Sequence, residues 1–244
     1  MTMAMHRRTR HDTRREPVRY ECRITRSVQP GQADLAEPLR LLEANTNNYV
    51  NYRGIGKIGV TIMMIEPVLR KILMSDRRGI IPKQDLKDFE GELQDNLRHA
   101  QYADYDVPID PAQPLALFGR NKDRLALQLH PRDYRLTGDR AVVEAYIQDN
   151  YEQNDGRPVS RRFLDRNAAR FRPHITIGDV HYENMDPDQI EAFQTDPSVF
   201  LIRESYRQMQ SDREDYGESY TVQDIILPEH VALNGLKVFC RQKL

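Results

Sequence analysis

The run Phe171-Arg172-Pro173-His174-Ile175-Thr176-Ile177-Gly178 places an imidazole two residues before a hydroxyl inside a β-branched stretch. Side chains alternate along a strand, so His174 and Thr176 share a face. Together they offer a grip on an anionic oxygen and a means of moving a proton. A histidine satisfied within a core strand is the plain structural alternative. The pattern echoes 115 positions earlier, from 59 to 174: Gly59-Val60-Thr61-Ile62 keeps the hydroxyl and has glycine where the imidazole stood. Gly59 leaves room there for a larger ligand or for a histidine reaching in. His99, His130, His181 and His230 are available, with His130 and His181 reading as surface residues. Lys57 precedes Gly59 by two and, read as part of the same strand, shares the face of Thr61. It can meet phosphate as a point charge, or act as an acid if its pKa is lowered; an exposed strand-end lysine is the alternative. Tyr49, Tyr52 and Arg53 lie just upstream and can stack on a base or contact phosphate. Arg172 supplies positive charge at the mouth of the His174 strand.

These residues need strands to hold them. Residues 18–28 alternate apolar and polar, and 57–65 and 172–180 are β-branched, so all three read as strands. Leu115–Phe118 and Leu125–Leu129 flank Gly119-Arg120-Asn121-Lys122 as a hairpin. Leucines at helical spacing mark 33–44, and Leu86, Phe89, Leu93 and Leu97 mark 82–98 with Pro82 near its start. The spacing predicts a short helix at 68–74, one at 139–151 with Asp139 as N-cap, and one at 187–195. Residues 45–52 read as loop. Late strands are expected at 199–204, 219–227 and 236–241. The order strand, helix, two strands, helix, strand is α+β.

The string from Phe171 to Gly178 resembles the second signature of the two-histidine phosphoesterase superfamily, which includes 2′-5′ RNA ligase-like proteins and RNA cyclic phosphodiesterases. The resemblance covers roughly residues 18–241. It implies a bilobal α+β fold, with two α-β lobes related by approximate twofold symmetry and their antiparallel sheets around a central cleft. It also implies that His174, Thr176 and Thr61 line that cleft with Arg172, Lys57, Tyr52 and Arg53 nearby. Members use two imidazoles, one taking a proton from the attacking oxygen and the other giving one to the leaving oxygen, without a metal. Here Gly59-Val60-Thr61 departs from the first His-x-Thr motif. Loss of one positioned acid or base typically costs about 10²–10⁴-fold in rate.

The chain has 244 residues, 39% hydrophobic and 30% charged, with a formal charge of −1. That length suits one large domain or two small ones. No run approaches the roughly 20 apolar residues that span a bilayer. Met1–Arg26 has no apolar core and does not read as a secretory signal. Two cysteines, Cys22 and Cys240, exclude a disulfide scaffold and a cysteine zinc cluster, and the histidines are too scattered for a zinc site. There is no phosphate loop, dinucleotide fingerprint or nucleophile elbow; Gly54-Ile55-Gly56-Lys57 precedes a strand instead of opening a helix. Charge is segregated. Residues 1–26 carry eight arginines against three acids (+5), 152–172 six against three (+3), and 179–218 three against eleven (−8). Basic arms meet phosphate, and balanced solvated faces are the alternative reading.

The expectation is therefore a flexible basic arm at 1–17 and a two-histidine phosphoesterase-like domain at 18–244, a cytoplasmic monomer that needs no cofactor. It would act on or bind an RNA 2′,3′-cyclic phosphate, another phosphodiester or a small cyclic nucleotide. The alternatives are an inactive relative that binds RNA or nucleotide, and an interaction scaffold for a protein partner.

Overall fold

From Arg19 to Val28 every second side chain is buried: Tyr20, Cys22, Ile24, Arg26 and Val28 face inward, and Glu21, Arg23, Thr25 and Ser27 face the other way. This alternation makes the segment a strand with one face on a core, and it is β1 of a computed structural model. The structure describes residues 19–73, 80–99, 104–131, 133–153, 156–157, 159, 171–216 and 223–243. The arm at 1–17 and Arg161, Arg162, Arg166 and Arg170 of the second basic cluster lie outside these.

Among the described residues eight strands form one antiparallel sheet. They are β1 (Arg19–Val28), β2 (Val50–Tyr52), β3 (Gly59–Met64), β4 (Tyr105–Pro108), β5 (Leu115–Phe118), β6 (Arg124–Gln128), β7 (His174–Val180) and β8 (His230–Lys243). Their order is β4-β8-β1-β3-β7-β6-β5, with β2 also paired to β7. The sheet is continuous, so its two halves meet by strand pairing between β3 and β7.

Six helices among the described residues pack with it: α1 (Ala33–Thr46), α2 (Glu66–Leu73), α3 (Lys83–His99), α4 (Tyr134–Asn150), α5 (Pro187–Thr195) and α6 (Pro197–Tyr216). The expected leucines of α1 and α3 are buried as their spacing required. Helix α3 also covers the part of β8 that β4 leaves unpaired. Gln94 accepts the Val238 amide at 2.8 Å and donates to the Leu236 carbonyl at 3.2 Å, and the Cys240 amide donates to Glu90. A strand edge satisfied in this way is closed to further pairing.

Several expectations change. Residues 50–52 are a strand, not loop, because they continue the β7 ladder at Val50↔Val180 and Tyr52↔Gly178. Residues 199–204 are helical. Phe200, Leu201, Glu204, Ser205 and Met209 are the buried positions, a helical interval hidden within a short apolar run. Residues 223–229 form no strand. Helix α4 starts at Tyr134, where Asp133 caps the Arg135 and Leu136 amides, so Asp139 is not its N-cap. Cys22 and Cys240, which face each other across β1 and β8, are joined as a disulfide.

Asp139 instead meets Arg26 with both side chains fully buried. Arg26 Nη2 donates to Asp139 Oδ1 at 2.8 Å, and Nη1 donates to the Asn234 carbonyl at 2.9 Å. The Tyr105 hydroxyl donates to the same carboxylate, and its ring lies 4.4 Å from the guanidinium. Asp139→Ala leaves a buried cation without its partner and is expected to lower unfolding free energy by about 3–5 kcal/mol. In urea titrations the double change Arg26→Met/Asp139→Leu should recover most of that loss.

Candidate anion-binding cleft

The strand register lines up the polar side chains. Thr25 pairs with Thr61 and Ser27 with Gly59 between β1 and β3. Val60 pairs with Ile175 between β3 and β7. One antiparallel step to either side puts Thr61 beside His174 and Gly59 beside Thr176. Gln128 pairs with His174 on β6, and Ala126 with Thr176. The outcome is a row Thr25–Thr61–His174–Gln128 next to a row Ser27–Gly59–Thr176–Ala126 across four strands.

Strand β7 shares one edge between two partners. β3 pairs at Ile175, and β2 pairs at Gly178–Val180. Between them the Arg53 amide donates to the Ile177 carbonyl at 2.8 Å, and the chain leaves the sheet as a 3-10 turn at Ile55–Lys57. A cavity of about 160 Å³ lies at this fork. Thr61 and Thr176 line it together, with Thr25 and Ser27 of β1. Arg26 is on its wall, but its side chain is committed to Asp139 on the opposite face of β1; the cationic side chains left to the cavity are Arg23 from β1 and Arg53 and Lys57 from the excursion, and none of the described residues on its wall is a carboxylate. Glu21 holds Arg23 at 3.4 Å, and Asp179 takes Arg53 Nη2 at 3.0 Å on both oxygens. Hydroxyls and cations around a small hollow are groups that can hold an anion.

His174 lies one row position beyond Thr61 and is half-buried. Its ring stacks on Phe118, with centroids 3.9 Å apart and planes 13° from parallel. Nδ1 lies 2.8 Å from the Arg172 carbonyl oxygen. A carbonyl only accepts, so in the neutral ring Nδ1 carries the proton and Nε2 is the acceptor. Burial pulls the imidazole below the usual histidine range, the Arg172 carbonyl opposes this in part, and the nearby Arg124 charge adds to it. His174 is therefore a neutral base at neutral pH.

Gly59 leaves no room for a side chain of its own. A Cβ there would collide with the Arg26 carbonyl oxygen and stand 3.0 Å from Ser27 Cα, because β1 closes onto β3 at this point. A side chain at position 59 is blocked by backbone, while Gly59 itself lines the fork cavity. Lys57 is on the turn, not on β3, yet it reaches the same cavity. Arg172 is exposed and gives His174 its carbonyl; its side chain does not line the fork. Tyr52 does not line it either. Its hydroxyl is 2.9 Å from Thr46 Oγ1, burial pushes that hydroxyl above the usual tyrosine range, and the ring packs on the core. Tyr49 packs edge-on against Phe200 at 5.4 Å. His181 pairs with Glu183 at 2.8 Å, while His130 and His230 line a separate apolar hollow of about 680 Å³ beside Pro108 and Ile202. Arg23, Thr25 and Ser27 went unnoticed in the sequence, although the alternation of β1 already placed them on one face.

Among the described residues, no group of three or more His, Cys, Asp and Glu is placed to hold a metal ion, and no helix is long and apolar enough to cross a membrane. No family model and no curated protein sequence matches this chain. Among solved structures it is similar to Usb1 of Kluyveromyces marxianus. The two are 12% identical, the match covers 92% of this chain and 97% of that one, and the TM-score is 0.38. A likeness this distant carries no functional conclusion.

Gly59→Ala forces two strand backbones apart and is expected to lower unfolding free energy by about 1–3 kcal/mol. Gly54→Ala, with open space around the added methyl, should stay within about 0.5 kcal/mol of wild type in the same chemical denaturation experiment.

Proposed function

We propose that this chain binds the phosphate of an RNA end or small nucleotide, a phosphodiester or cyclic phosphate, in the fork cleft. It does so as a relative of the two-histidine phosphoesterases that lacks one imidazole. The observation that carries this reading is that Thr61 and Thr176 line one cavity with Arg23, Arg53 and Lys57 and with no described carboxylate on its wall. An antiparallel pair has a local twofold axis. About the Val60–Ile175 pair it exchanges Gly59-Val60-Thr61 with His174-Ile175-Thr176. The proposed symmetry of the two lobes extends that local relation. The hydroxyls from both tripeptides hold phosphate oxygens, and the cations balance their charge.

Binding is favoured over turnover because β1 backbone occupies the place of the first imidazole. A one-histidine phosphodiesterase is the second reading, supported by the tautomer that the Arg172 carbonyl imposes on His174. In it, Nε2 takes the proton from the attacking hydroxyl or water, and Lys57 gives one to the leaving oxygen. Neither reading uses a metal. Residues 18–244 act as one cytoplasmic, monomeric domain, and the basic arm at 1–17 adds long-range attraction for RNA.

The test is fluorescence anisotropy with a short RNA ending in a 2′,3′-cyclic phosphate, followed by incubation of the same RNA with EDTA. Three cations predict that log affinity falls against log salt with a slope of about −2, and that Lys57→Ala makes it shallower by about 0.7. Binding without turnover supports the first reading. Turnover in EDTA that His174→Ala abolishes moves the assignment to the second. Absence of binding at about 50 mM salt overturns both.

A further inference from the structure

The fork cavity has about 160 Å³. A water occupies about 30 Å³ of liquid, so a five-atom phosphate group needs on the order of 100 Å³. One phosphate fits, and a nucleoside must lie outside. The polar side chains on the wall can all donate: the hydroxyls of Thr25, Ser27, Thr61 and Thr176 and three cations. Two of those cations are already compensated, Arg23 by Glu21 and Arg53 by Asp179. Lys57 makes no ion pair among the described residues. Arg23 Nε has no hydrogen-bond partner among the described residues, and its half-exposed guanidinium lies 5.4 Å from the Phe239 ring centroid. Its cationic side chains come from β1 and from the chain between β2 and β3, while His174, stacked on Phe118 and near the Arg124 charge, is not on the wall.

Resting on the proposed function, we infer that the preferred ligand of this cleft is a terminal phosphomonoester, the 2′- or 3′-phosphate of an RNA end or nucleotide, in preference to the cyclic phosphate. A monoester presents three non-bridging oxygens and up to two negative charges to a wall of donors, whereas a cyclic or linear diester presents two oxygens and one charge. The phosphate sits among the hydroxyls and cations of the wall, and the nucleoside lies outside the cavity.

The test compares oligonucleotides of one sequence ending in 3′-hydroxyl, 3′-phosphate and 2′,3′-cyclic phosphate, by anisotropy with the full chain. The 3′-phosphate should bind about tenfold more tightly than the cyclic phosphate, a difference that one added charge beside three cations can supply. Lys57→Ala, on an exposed turn, and Arg23→Gln should each shrink that ratio. Lowering the pH to about 5.5 protonates most of a phosphate whose second pKa is near 6, and the tenfold ratio between monoester and cyclic phosphate should fall to about threefold. The titratable and charged groups of the protein around the cleft, Glu21, Asp179, His174, Arg23, Arg53 and Lys57, face both ligands alike, so the ratio reports the proton on the ligand. A cyclic phosphate that binds as tightly as the monoester, or more tightly, overturns this inference and leaves the proposed function standing. If neither phosphate end binds better than the 3′-hydroxyl, the proposed function itself falls.

Discussion

A single guanidinium ties the parts of this fold that local sequence cannot bring together. Arg26 points inward from the first strand to a carboxylate 113 residues away on α4, to a β8 carbonyl and to the face of a β4 tyrosine. Such a pair recovers the cost of removing two charges from water only when every donor and lone pair is satisfied. The need for complete satisfaction fixes β1, β4, β8 and α4 relative to one another. Arg26 is also flanked by Thr25 and Ser27, which face the opposite side of the sheet. The interaction that anchors β1 from below therefore sets the height of two hydroxyls in the cleft above.

The same stretch of backbone decides what the cleft lacks. The carbonyl of Arg26 and the Cα of Ser27 occupy the space that a side chain at position 59 would need. Glycine is thus required by the closeness of β1 and β3, and more than one substitution separates this site from a two-imidazole site. The β1 strand would have to move, and Arg26 is held from beneath.

Much of the scaffold was legible in the sequence because its signals are local. Alternation along β1, β-branching in β3 and β7, and leucine spacing in α1 and α3 each report which face is buried. What escaped depends on partners distant in sequence. β2 is three residues long and exists because β7 offers it an edge. The apolar cluster at 199–202 is too short to separate strand from helix by period, and only the buried positions through Met209 settle it. Asp139 carries no sign that its partner is Arg26. In the cleft, Thr61, Thr176, Arg53 and Lys57 were legible as chemistry, but Arg23, Thr25 and Ser27 needed the β1–β3 pairing. Tyr52 was misread because a tyrosine beside a cleft residue gives no indication that its hydroxyl turns to Thr46.

The composition of the cleft follows from how β7 shares its edge. Two strands on one edge must part somewhere, and the chain between them has to bulge away from the sheet. That bulge brings Arg53 and Lys57 to the cavity that Thr61 and Thr176 line. His174 is off that wall, stacked on Phe118 with its Nδ1 proton committed to backbone. The wall therefore offers donors, and the proton-accepting Nε2 belongs to a residue outside it. A catalyst for phosphodiester cleavage needs an acceptor and a donor flanking one phosphorus. A receptor for a phosphate needs hydroxyl donors and positive charge around it, and these are the groups that line the fork.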